Sequence, residues 1–388
     1  MDYKKIFDLI DQKEAEYINV WKEICDIESP TLYKEGVDAV GAYFIEKAKK
    51  FGWKVEVLEE PVSGNAICIT MNPDAKKAPV AVSAHMDTVH PVGLFGNPPT
   101  RIDYENDRIY GPGVVDCKAG LVSSLYMMDV LQEAGYTERP IIFILQPDEE
   151  NSSITSEKRT IKFMCEKAKG AVAFFNLEGG SKDTVVLTRK GILRLRLNIT
   201  GIAAHSSKCA DEVGHGASAI AEAAHKIIEL EKMKNPAGIT CNCGVISGGT
   251  VGNTVPEKCT FIADIRFANV AEMQEAIDKV NEVAAHSYIE GTTCEVEIVS
   301  QRIAMESKEM NYQLLDRLNE ISEEVGVPTL RATHAKGGSD AAYTTDAGIP
   351  TLDNLAPIGG RAHSVDEYGI LSSLTEATKR ITAAVLKL

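Results

Sequence analysis

Three short apolar runs constrain this chain more than any other feature. "APVAVSA" (78–84), "PIIFILQ" (140–146) and "AVAFFNL" (171–177) are apolar enough for strands buried on both faces of a sheet. Each stops at residues that ligate metals. The first runs into His85 and Asp87, the second into Asp148, Glu149 and Glu150, and the third into Glu178. One such ending would be chance, since a charge run is usually a solvated loop. Three on sequential strands point to a site, because open α/β sheets form sites beyond the carboxyl ends of their strands.

Helical periodicity separates these strands. Residues 3–28 and 33–51 read as amphipathic helices broken by "ESPTLY", and "LVSSLYMMDVLQEAG" reads as a helix ending at Gly135. Strands alternating with helices predict an α/β layer built on a mostly parallel sheet. Near Arg189 the texture changes. "GILRLRLNITG" and "KCTFIADIRFA" alternate strictly, and an Ala-rich helix lies between them. A further helix (270–289) and the strand "TCEVEIVSQ" complete a β-α-β-β-α-β order, that of a ferredoxin-like α+β sandwich. The first texture returns after it. The expected organisation is a catalytic domain of residues 1–188 and 303–388, interrupted by an inserted domain of residues 189–302.

Charge narrows the partners. A chain of 388 residues with formal charge −15 is unsuited to nucleic acid or an anionic membrane surface. The first 17 residues mix charge into a helical pattern without a signal core, and no stretch is long enough to span a bilayer. Nine scattered cysteines, most in apolar company, read as reduced thiols, which with the missing signal core predicts a cytoplasmic protein. "CNCG" at 241–244 has no second cysteine pair at ligand spacing, so a structural role is the better reading.

His85 and Asp87 are two apart, so a strand places both on one face. There a carboxylate orients a histidine as a ligand, although a lone His-x-Asp is usually a surface hydrogen bond. In "YGPGVVDCKAG", Asp116 precedes a predicted helix, and on its own an aspartate there is more often its N-cap than a ligand. "QPDEEN" offers adjacent carboxylates that point in different directions in a turn. One could face a metal and the other a substrate. "GGRAHSVDEY" adds His363, whose value depends on the rest.

Taken in order, "SAHMDTV", "GPGVVDCKAG", "PDEEN", "NLEGG", "RKGILRLRLNITGIAAHSS", "NTVPEKCTFIADIRF", "GGSDAAY" and "RAHSVDEY" resemble one family over essentially the whole chain. It is the dizinc peptidase family of glutamate carboxypeptidase, aminoacylase, succinyl-diaminopimelate desuccinylase and peptidase T. The resemblance implies a parallel-sheet catalytic domain and an inserted lid and dimerisation domain. It implies two Zn²⁺ per chain, with Co²⁺ or Mn²⁺ as alternatives. His85, Asp116 and Glu178 would hold one metal; Asp116, Glu150 and His363 would hold the other, with Asp116 bridging. Asp87 would support His85, and the Asp116–Cys117 peptide would be cis. Glu149 would be the general base towards a hydroxide held between the metals, and His205 would donate to the developing oxyanion. Two dications against three carboxylates and a hydroxide make a neutral core, which favours hydroxide near neutral pH. Cys117-Lys118-Ala119 departs from the usual Met-Lys-Gly and leaves the ligand types intact.

Glu at position 178 resembles the carboxypeptidase and deacylase branches, whereas the peptidase T branch carries Asp there. Asn253, Arg266, Arg302 and Gly338 match substrate-contacting positions of the glutamate carboxypeptidase branch. Arginine forks suit a free carboxylate. The expected activity is therefore hydrolysis of an amide next to a free carboxylate, in a small peptide or an N-acyl amino acid. A di- or tripeptide aminopeptidase and a non-catalytic metal-holding protein are the alternatives. The resemblance also implies a homodimer through the inserted domain.

Overall fold

The computed structural model describes residues 1–235 and 238–388. They form two compact units. The first comprises Met1–Thr188, Ser307–His334 and Ser339–Leu388; the second comprises Arg189–Glu306 and Ala335–Gly338.

The first unit is built on an eight-stranded sheet. Its order is Lys54–Leu58, Ala66–Met71, Ile141–Gln146, Val80–His85, Ala173–Asn176, Thr351–Asp353, Thr184–Arg189 and Arg331–Ala335. The three apolar runs lie side by side at its centre and pair in parallel. Thr351–Asp353 extends the parallel block beyond Ala173–Asn176. The flanks differ from the mostly parallel expectation. Lys54–Leu58 pairs antiparallel with Ala66–Met71, which pairs antiparallel with Ile141–Gln146, and Thr351–Asp353 meets Thr184–Arg189 antiparallel. The sheet is mixed. The first two strands are joined by only a short segment, and a parallel pair needs a crossover of a dozen residues or more.

Burial explains why the central strands read as continuous apolar runs. Val80, Val82 and Ala84 face one large core, together with Ile141, Phe143 and Leu145. Ala81, Ile142, Ile144 and Phe174 face a second cluster with Ile161 and Met164 of the helix Arg159–Ala168. Successive side chains point to opposite faces, and helices cover both. The helix Lys118–Glu133 packs on Val80–His85 and is itself flanked by Tyr3–Asp26 and Ser373–Lys387. No described helix is long and apolar enough to cross a membrane.

A four-stranded sheet absent from the sequence reading completes this unit. Its order is Gly359–Gly360, Tyr368–Ile370, Arg108–Tyr110 and Arg101–Asp103. Its central pairing sets Tyr368 opposite Tyr110 and Ile370 opposite Arg108.

The second unit has an antiparallel sheet in the order Thr240–Gly248, Lys258–Phe267, Gly191–Thr200 and Thr293–Arg302. Leu193, Leu195, Leu197 and Ile199 are buried beneath the helices Ala219–Leu230 and Val270–Ala285, while Arg194 and Arg196 alternate onto the other face. A buried ion pair ties the two helices. Lys226 Nζ lies 2.8 Å from Glu222 and donates to the carbonyls of Val283, Ala284 and His286. Glu222 accepts from the amides of Tyr288 and Ile289. Both charges are compensated, so burial is tolerated; removing one alone would cost about 3–5 kcal/mol.

Candidate metal centre

Strand register places the first donors. His85 pairs with Gln146 at the carboxyl end of the parallel block. Three residues beyond Gln146 the chain reaches Glu149, and the amide of Leu177, just before Glu178, donates to Ser83 O at 2.7 Å. His85 and the two acidic strand ends therefore emerge at one edge.

Asp87 fixes the relation between two of them. Its carboxylate accepts from the amides of Glu149 and Glu150, each at 3.1 Å. The Thr31 hydroxyl donates to the same carboxylate at 2.7 Å. The Asp87 carbonyl lies 2.9 Å from His85 Nδ1, and its Oδ1 lies 3.3 Å away. Nε2 of His85 is thus turned to the remaining donors. Thr31 sits in the break between the first two helices, which the sequence showed only as a separator.

Asp116 comes from the loop that follows strand Arg108–Tyr110. Gly113 turns this loop with φ +71°, a left-handed conformation that favours glycine. The Asp116–Cys117 peptide is cis. Asp116 is not a helix cap, because Cys117 takes the N-cap position and no side chain caps the helix. The first turn of that helix lies against the strand end carrying Glu178. A Cβ on Gly120 would fall 2.1 Å from Leu177 O, so glycine permits the approach.

The two imidazoles then share Asp116. Nε2 of His85 is 3.2 Å from Asp116 Oδ1 and 3.7 Å from Glu178 Oε2. Nε2 of His363 is 3.0 Å from Asp116 Oδ2 and 3.2 Å from Glu150 Oε2. Each oxygen of Asp116 faces a different histidine. The small sheet makes this possible, since strands Gly359–Gly360 and Tyr368–Ile370 flank His363 and pair beside Arg108–Tyr110. His363 itself has φ +64°, an uncommon conformation for a residue with a Cβ. Cys117 adds a thiol that the sequence reading left out of the site: its Sγ and the ligand atoms of His85 and Glu178 lie within 4.8 Å of one another.

Electrostatics show what the cluster lacks. Burial pushes the Glu150 carboxyl up to about 8 and Glu178 up to about 7, each opposed by its neighbouring histidine. Burial also raises Asp116, but His363 and His85 override it and hold this carboxyl well below the usual range. The Asp116 and Glu150 carboxylates carry His363 up to about 10. Burial alone would lower His85, yet its anionic surroundings, including Glu178 and Asp116, raise it well above the usual imidazole value. Three carboxylates gathered under such burial call for cations.

The donor set fits divalent-ion binding. Ligand bonds of about 2.0–2.2 Å at tetrahedral angles separate donor atoms by roughly 3.4 Å. The observed separations of 3.0–3.7 Å bracket that value. Imidazole and carboxylate donors suit zinc, with manganese or cobalt on the same ligand types.

The remaining sequence-predicted residues lie in the second unit and form two groups. His205 is exposed and pairs with Thr254 in a two-stranded ribbon, and the amide of Ser206 donates to Asn253 O. Arg266 and Arg302 lie on either side of Ile192 across the sheet. A Cβ on Gly338 would meet Arg302 Cδ at 2.6 Å and Ile192 Cδ1 at 3.1 Å. Arg266 forks onto Asp264 at 2.6 and 3.1 Å, and Arg194 contacts the same carboxylate. Although partly buried, Asp264 is held below the usual carboxylate range by these two guanidinium groups.

Comparison with known proteins agrees with this centre. Residues 81–387 match peptidase family M20/M25/M40, and the chain belongs to that family of metal-dependent peptidases and amidohydrolases. Carboxypeptidase G2 from Pseudomonas sp. (strain RS-16) is 27% identical over 92% of this chain and 86% of its own length. Succinyl-diaminopimelate desuccinylase from Rickettsia felis is 22% identical over 92% and 96%. A tripeptidase from Staphylococcus aureus superposes with a TM-score of 0.78 at 22% identity, covering 96% of this chain and 97% of its own. The family resemblance read from the motifs is borne out.

Proposed function

We propose that this protein hydrolyses an amide bond next to a free carboxylate, as a carboxypeptidase or an N-acyl amino acid deacylase. The observation that carries the reading is the donor set at the strand ends, in which each oxygen of Asp116 faces a different histidine. Glu150 faces His363, and its neighbour Glu149, held in the same turn by the Asp87 carboxylate, is the proton-transfer group. His85, Asp116 and Glu178 would hold one Zn²⁺, and Asp116, Glu150 and His363 would hold the other. When bound, the two cations supply Lewis acidity and lower the pKa of water. Glu149 takes the proton from the attacking water and returns it to the leaving amine. His205 donates to the developing oxyanion. Arg266 and Arg302, with Asn253 and Gly338, receive the substrate carboxylate.

Curated relatives named as a carboxypeptidase and a desuccinylase support this substrate class. A di- or tripeptide aminopeptidase is the second reading, favoured by the fold likeness to a tripeptidase. A non-catalytic metal-holding protein is the third. A mass-spectrometric screen of dipeptides, tripeptides and N-acyl amino acids, with protein loaded with zinc, cobalt or manganese, separates them. Release of a C-terminal or deacylated amino acid supports the first. Release of N-terminal residues supports the second, and metal binding without any product supports the third.

The lid and dimerisation roles of the second unit belong to the same proposal, with a two-fold homodimer in which His205 serves the partner subunit's centre. A mixed dimer of His205→Ala and Glu149→Ala subunits then regains activity, because one centre has both residues. A dead mixture with proven subunit exchange ends the idea.

A further inference from the structure

The run "SAHMDTVH" carries a second histidine, His90, that no role above uses. It is 4% exposed, and its Nε2 lies 2.8 Å from Glu367 Oε2. Glu367 is itself fully buried. Its other contacts all go to one loop. Oε2 accepts from the amide of Gly113 at 3.3 Å, and Oε1 accepts from Val115 at 2.9 Å and from Asp116 at 3.0 Å. A buried carboxylate with four donors is a fixed point, since no weaker arrangement satisfies its lone pairs. Glu367 also stands four residues after His363, and its own amide donates to Ser364 O.

We infer that Glu367, held by His90, is the positioning residue that sets Asp116 against His363. One carboxylate links the segment that delivers His363 to the loop that delivers Asp116. It grips that loop by consecutive amides, including the one on Asp116 itself. His90 closes the remaining side and is braced by the ring of Phe95, edge-on at 4.9 Å. Because His90 follows strand Val80–His85 by only five residues, the pair also ties this assembly to the strand that carries His85. Neither residue reaches the donor cluster. They act through Asp116, as outer partners orient ligands in metal sites generally.

The inference rests on the two-metal reading, and the test keeps the two apart. Metal-free wild type, Glu367→Gln, His90→Leu and His90→Gln are titrated with Zn²⁺ against a competing chelator. Circular dichroism and thermal melts of the metal-free forms report the fold. In Glu367→Gln, an NH2 group replaces one oxygen and faces two of the four donors in either orientation, so the four-donor grip on the Asp116 loop is broken. Zinc affinity at the weaker step should fall roughly ten- to hundredfold, the usual cost of an outer partner. His90→Leu should show the same loss in smaller measure, and His90→Gln, which restores a donor, should recover most of it. A purely structural role would lower the melting temperature of Leu and Gln variants alike without this rescue. Wild type that binds two zinc ions while folded variants match it within twofold overturns the inference alone. If Glu367→Gln does not fold, the His90 pair decides: equal zinc affinity in both also overturns it. Wild type that binds no metal overturns the hydrolase reading and the inference with it.

Discussion

The two halves of the centre are built differently. His85 is 2% exposed and stands at the end of a central strand, in register with its parallel neighbours. His363 is 55% exposed and hangs on a loop with a left-handed backbone. The sheet positions the first half through hydrogen bonds that any parallel block makes. The second half depends on short strands, a glycine turn and the buried contacts of Glu367. A metal ligand set can therefore combine one half that is costly to disturb with one that is easily adjusted. The gain is a precise edge plus an exposed donor, and the risk is concentrated in the loops.

That contrast is sharpest in the adjacent pair Glu149 and Glu150. If the proposed roles hold, Glu149→Ala should retain the metals and lose roughly a hundredfold or more in turnover, as removal of a base and no ligand would. Glu150→Ala should lose the metal on the His363 side as well. Metal analysis beside kcat checks both, and equal metal loss in the two variants breaks the division of roles. Next in size is the comparison of the two histidines. His85→Ala removes a 2% exposed imidazole together with its contacts to Asp87, Asp116 and Glu178 and should destabilise the protein measurably. His363→Ala should change stability far less and still remove about one metal equivalent. Chemical denaturation with metal analysis tests this; equal destabilisation would mean that the two halves are alike.

A smaller effect is expected in the second unit. Arg266→Ala and Arg302→Ala should raise KM for substrates with a free carboxylate by the loss of charge-assisted hydrogen bonds, each about 1.5–3 kcal/mol. Amidated substrates should be much less affected, and equal effects remove these residues from carboxylate binding. Smallest is a proton count. Burial pushes Glu150 up, and the Asp116 and Glu150 carboxylates push His363 up, so the facing Glu150–His363 pair retains proton above the usual range of either group in the metal-free protein. Zinc uptake must displace it, so calorimetry in buffers of different ionisation enthalpy should show net proton release that declines as pH rises. Zinc uptake without proton release contradicts the assignment of both ligands.

The same contrast explains what could be read from sequence. His85, Asp87, the "DEE" turn and Glu178 were legible because each ends a run whose apolar pattern already marks a buried strand. Side-by-side parallel strands must then bring their ends together. The approach of His363 to Asp116 was legible only through family resemblance. It depends on three-residue strands whose partners lie more than 200 residues apart, and no local pattern encodes that pairing. Thr31 and Cys117 were passed over because their roles come from contacts rather than from spacing. The direction of the flanking strands was misjudged for a similar reason: composition marks a buried strand but not the sense in which it runs.

The small sheet also gives the centre an order in time. Ribosomes release a chain from its N-terminus, and domains fold as their segments emerge. His85, Asp116, Glu150 and Glu178 are all synthesised before the strands that flank His363 and seat it beside Asp116. A nascent or prematurely terminated chain would carry four donors and no means of completing the set. A centre that needs His363 is then assembled only once those strands have emerged and paired.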